Sequence, residues 1–106
     1  MNFESMATDL GLESEEFCEL VEIFVESTVS DLEKLQSALS SGEAEQVVEA
    51  AHSIKGAAGS LGFNDAQMLA KKIESNAREN MLDGSVEYVV GIKKNVNAIS
   101  EALKGI

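Results

Sequence analysis

The chain has 106 residues, 44% hydrophobic and only 5% aromatic, with no proline and no tryptophan, enough for one domain (1–106) around one aliphatic core. Its formal net charge of −11 repels phosphate backbones, so nucleic acid is excluded as an expected partner. No apolar run approaches the roughly 18 residues of a membrane span and no signal peptide opens the chain, so a soluble, cytoplasmic monomer is expected.

Periodicity predicts five helical segments. In the first, Phe3, Met6, Ala7 and Leu10 share one face and Gly11 ends the helix. It is short, so that face must dock on something larger. The second starts near Glu13 or Ser14 and runs to Ser40-Ser41-Gly42, with Phe17, Leu20, Val21, Phe24, Thr28, Leu32, Leu35 and Leu39 expected inside. The lone Cys18 on its flank excludes an internal disulfide and fits a reducing compartment.

The third segment spans about Glu43 to Leu61, and Gly62 suits the left-handed residue that stops it. Asn64 is then expected to cap the fourth, with Gln67 completing a capping box and Phe63 stapled to Met68. Ala66, Leu69, Ala70, Ile73, Ala77 and Met81 mark its apolar face. Asp83-Gly84-Ser85 supplies a turn and cap, and the fifth segment carries Val89, Ile92, Val96, Ile99 and Leu103. Four long amphipathic segments with short connections predict an all-α, antiparallel up-down-up-down four-helix bundle, with the short N-terminal helix capping one end.

The third segment holds the only histidine, followed by three glycines and a lysine in AHSIKGAAGSLGF. A glycine in a helix interior costs roughly 0.5–1 kcal/mol relative to alanine, so their presence needs a reason. On a helical wheel Val47, Ala50, Ile54, Ala57, Ala58 and Leu61 form the core stripe, and His52 points almost directly away from it. A core histidine is therefore disfavoured, whereas an ordinary surface histidine survives the test. Gly56 and Gly59 lie at about +40° and −20° from His52, on its own face. They remove the side chains beyond the imidazole and clear a landing site. Lys55, one turn on, is placed to reach an anion carried by the ring.

The fourth segment has a polar stripe of Gln67, Lys71, Glu74 and Arg78. Spacing alone favours ion pairs on a solvated face. If the stripe borders His52, a carboxylate there accepts a hydrogen bond from one ring nitrogen and leaves the other nucleophilic. One histidine without a cysteine cluster does not make a zinc site, and no phosphate-binding glycine loop is present, so no metal site and no nucleotide binding are expected. A glycine-flanked histidine beside a lysine suits a nucleophile that carries a group between partners.

AHSIKGAAGSLGF closely resembles the signature of histidine-containing phosphotransfer (HPt) domains of two-component phosphorelays, His-x-x-Lys-Gly followed by further glycines. His52, Lys55, Gly56, Gly59 and Gly62 match it, and the similarity covers most of the chain, including ELVEIFVES at the start of the second segment. The resemblance implies a phosphorelay carrier. His52 would accept a phosphoryl group on Nε2 from a receiver-domain phospho-aspartate or a histidine kinase, and pass it to the aspartate of another receiver. Lys55 would steady the phosphohistidine and Gly56 would leave room for it. Glu74 falls where many members have a glutamine that bonds the imidazole, and Arg78 matches a basic position in some members. The family also implies partner receivers docking over the first three segments, Mg²⁺ supplied by the receiver, and no cofactor or autonomous catalysis in this domain. Two alternatives stay open: the phosphoacceptor domain of a chemotaxis-type histidine kinase, and a helical docking module that is not phosphorylated.

Overall fold

In a computed structural model, which describes residues 1–105, the chain forms five helices: α1 (Phe3–Asp9), α2 (Ser14–Ser41), α3 (Ala44–Leu61), α4 (Asn64–Arg78) and α5 (Ser85–Lys104). The molecule measures 41 × 22 × 17 Å. At 1.5 Å per residue the 28 residues of α2 account for the long dimension. Helices α2 to α5 close a ring in which each packs on the next and α5 returns to α2, while α1 lies on α2.

Cross-helix pairs show the directions. Gly59 faces Gln67 and His52 faces Glu74, so numbers rise on α4 as they fall on α3. Leu69 faces Gly91 and Lys72 lies over Tyr88, which sets α5 antiparallel to α4 in the same way. The bundle is the antiparallel up-down-up-down one that the five amphipathic segments imply.

The core follows the predicted stripes in most places. Val47, Ala50, Ile54, Ala58 and Leu61 of α3 are buried, as are Val89, Ile92, Val96 and Ile99 of α5. The four phenylalanines gather at the α1 end, with Phe3 on Phe17 and Phe63 against both Phe17 and Phe24. This cluster is what the short α1 docks on. Tilted rings at 5.0–6.5 Å between centroids add to the area that they bury.

Some expectations need correction. Leu10, Leu20 and Met81 are exposed, because each sits at the edge of its stripe or beyond the helix end. Conversely Ala51 is fully buried, although the wheel leaves it off the core stripe. The capping box at Asn64 does not form. Phe63 is the N-cap and Asn64 is already helical, since Gly62 turns the chain at φ +84° and brings Phe63 inward. Met68 is consequently exposed while Phe63 is buried, so the two do not staple the helix start. At α5 it is Gly84, at φ +85°, that caps the helix, and Ser85 is the first helical residue with a buried hydroxyl.

Candidate functional site

The site sits midway along α3, on the side that faces α4. His52 is 63% exposed at its side chain, as its position opposite the core stripe requires. Its ring is nonetheless held. Nδ1 lies 2.9 Å from Glu74 Oε2, reaching across the α3–α4 seam.

Glu74 is the pivot. Its side chain is 5% exposed and carries three contacts: His52 Nδ1, Lys55 Nζ to Oε1 at 2.6 Å, and Arg78 Nη2 to Oε2 at 2.8 Å. The solvated row of ion pairs that spacing favours is therefore not what forms. Of the stripe, Lys71 and Arg78 are exposed, Gln67 is half-buried and Glu74 is buried. Only tertiary packing distinguishes them, because His52 and Lys55 of α3 reach over the carboxylate while Lys71 and Arg78 stay at the surface.

A carboxylate with so little solvent must be stabilised or protonated. Burial works against its ionised form. The hydrogen bonds from Lys55, Arg78 and His52, together with the Lys55 charge, more than offset that and lower its pKa from 4.5 to about 2. At neutral pH Glu74 is a carboxylate, which only accepts hydrogen bonds. Nδ1 of His52 is then the donor. In the neutral ring this leaves the lone pair on Nε2, on the far side of the imidazole.

The two glycines on the histidine face differ. A Cβ built on Gly56 meets nothing within 4 Å, so the approach to the ring is open there. A Cβ on Gly59 would lie 2.6 Å from Gln67 Nε2. Gly59 therefore accommodates the α4 side chain laid over it, and the clearing beside His52 belongs to Gly56. Lys55, 30% exposed, keeps its ammonium at the edge of the site, and Arg78 is largely exposed.

One contact beside the ring has no counterpart in the sequence patterns. Ser53 Oγ donates to Asp31 Oδ2 at 2.7 Å and ties α3 to α2 next to His52. The two residues are 22 apart, and no local spacing connects them. Leu20, Ile23, Ser27 and Asp31 form one stripe of α2 on this side, with Ile23 62% exposed.

Among the described residues no three of His, Cys, Asp and Glu come together as a metal-holding group, and no helix is long and apolar enough to cross a membrane.

A family model described as Hpt domain matches residues 19–102. The fold is similar to the HPT domain of a sensor hybrid histidine kinase from Shewanella, at TM-score 0.83 and 22% identity, covering 100% of this chain and 95% of that one. It is also similar to histidine-containing phosphotransfer protein B from Pseudomonas aeruginosa PAO1, at TM-score 0.79 and 25% identity, covering 94% and 87% of the two chains. Among curated proteins no relative matches the sequence.

Proposed function

The chain belongs to the Hpt domain family, and on that premise we propose that it carries phosphoryl groups in a phosphorelay, with Nε2 of His52 as the accepting atom. The observation that carries this reading is the His52–Glu74 contact. It occupies Nδ1 on a side chain that is otherwise exposed, so in the neutral ring the lone pair is on Nε2. Attack by histidine on a phosphoryl group needs a ring nitrogen with a free lone pair.

The step is a displacement at phosphorus. The Nε2 lone pair attacks the phosphoryl group of a receiver's phospho-aspartate, the P–O bond breaks, and the aspartate leaves as a carboxylate. The reverse step, onto the aspartate of a second receiver, regenerates neutral His52. Lys55 lies one helical turn from the ring, where its ammonium offsets the charge that arrives with the phosphoryl group. Arg78 adds a second positive charge across the seam. The open space at Gly56 supports close approach of a partner active site.

The receiver is read as docking over α1, α2 and α3, where Leu20 and Ile23 offer exposed apolar contacts on the stripe that ends at Asp31. A sensor histidine kinase is a further candidate donor. This reading asks for no cofactor in this chain, since the receiver brings both the aspartate and Mg²⁺. It places the protein in the cytoplasm as a carrier without catalysis of its own.

The test is incubation with phosphorylated receiver domains, with phosphohistidine read by ³¹P NMR. Wild type should be labelled and His52→Gln should not, while the variant's circular dichroism stays near wild type, because an exposed side chain contributes little to folding. Equal labelling of the variant would show that a residue other than His52 takes the phosphoryl group, and an unlabelled wild type across a broad receiver panel would favour a docking module that is not phosphorylated.

A further inference from the structure

We infer that Glu74 holds the Nδ1 proton on His52 while Nε2 carries the phosphoryl group, and so keeps the phosphohistidine in its transfer-ready form at neutral pH. The inference rests on the reading of His52 as the phosphoacceptor.

Attack by Nε2 leaves the imidazole with a P–N bond on one nitrogen and the original proton on the other. That ring is an imidazolium. When the P–N bond breaks, its electron pair returns to Nε2 and the leaving group is a neutral imidazole. If Nδ1 loses its proton first, the leaving group is an imidazolide anion, and transfer stalls. The fate of one proton therefore decides whether the carrier can deliver.

In this structure Nδ1, the nitrogen that donates when Glu74 is a carboxylate, lies 2.9 Å from Glu74 Oε2. The carboxylate is buried and held ionised by Lys55 from α3 and Arg78 from α4. From α2, the acid that reaches α3 beside the ring is Asp31, and it is engaged by Ser53. Glu74 is thus the anion in contact with the ring. A charged acceptor stabilises an imidazolium donor more than a neutral amide does.

The local charges also close. Glu74, Lys55 and Arg78 with a neutral ring sum to one positive charge. Adding a phosphoryl dianion and the charge on the ring brings the cluster to neutrality with the proton in place. Loss of that proton would leave a net negative charge in a chain that is already at −11. Glu74 is a positioning residue in this scheme: it touches the reacting ring and neither donates nor accepts phosphoryl.

The experiment uses phosphoramidate as a chemical donor, so no partner protein is needed. Wild type and Glu74→Gln are phosphorylated, and loss of phosphoryl from His52 is followed by ³¹P NMR between about pH 5 and 9. Nδ1 protonation is read in parallel from the ¹⁵N shifts of the single histidine. In wild type the proton and the fast rate should persist to a pH about one unit higher than in the variant, the difference that a charged over a neutral acceptor makes in one hydrogen bond. Phosphorylated imidazole free in solution is the second reference, and it needs no folded variant. Coincident profiles for wild type, variant and free imidazole would overturn the inference while leaving His52 as the acceptor. A wild type that takes no phosphoryl on His52 would overturn both.

Discussion

At Gly56 a side chain would enter open space, and at Gly59, three residues on, it would meet Gln67. The two glycines are equivalent in helix propensity but answer to different neighbours. Gly56→Leu should fold more stably than wild type by about 0.8–1 kcal/mol, since leucine is the better helix former and its Cβ meets nothing within 4 Å. It should accept phosphoryl poorly, because the branched side chain fills the approach to the imidazole. Urea unfolding and labelling by a phospho-receiver check the two halves separately. A variant of lower stability with normal labelling would show that Gly56 serves packing.

Helix ends impose the opposite rule on the same residue type. Gly62 sits at φ +84°, where its N–H reaches the carbonyls of Ala58 and Gly59, and the Phe63 N–H bonds to the Ala58 carbonyl at 2.9 Å. This left-handed turn stops α3 and delivers Phe63 to the phenylalanine cluster. Space is not the constraint, because a Cβ there would come only within 4.0 Å of Met6. Gly62→Ala should therefore lose about 1–2 kcal/mol through backbone strain alone, seen as a lower thermal midpoint. An unchanged midpoint would show that the α3–α4 turn tolerates a different backbone.

For the whole molecule, the buried Glu74 joins α3 to α4 and makes stability depend on acid. Its folded pKa of about 2 lies below the ordinary 4.5, so the ionised form favours folding. That contribution is complete above pH 4.5 and is lost as the pH falls through the folded value near 2. Its size is on the order of 3 kcal/mol, from about 1.4 kcal/mol per unit. Urea midpoints of wild type and Glu74→Gln, taken from pH 7 downward, should differ in slope within that window. Parallel curves would mean that the carboxylate is solvated in solution.

The pattern of residues by itself determined the five helices, the bundle, and the exposure of His52 opposite the core stripe. These depend on period and on the chemistry of single side chains, which a linear chain displays: Val89, Ile92, Val96 and Ile99 can share only one face of a helix, and His52 can only oppose the stripe of Val47, Ile54 and Leu61. The tertiary structure decided what lies between helices. Nothing in the spacing of Gln67, Lys71, Glu74 and Arg78 says which one is buried, and the answer is Glu74 because α3 brings His52 and Lys55 onto it. The distinct uses of Gly56 and Gly59, the Ser53–Asp31 tie and the inward turn of Phe63 belong to the same class. Each depends on where one helix lies against another, and that is set by the packing of whole faces in three dimensions rather than by any local repeat.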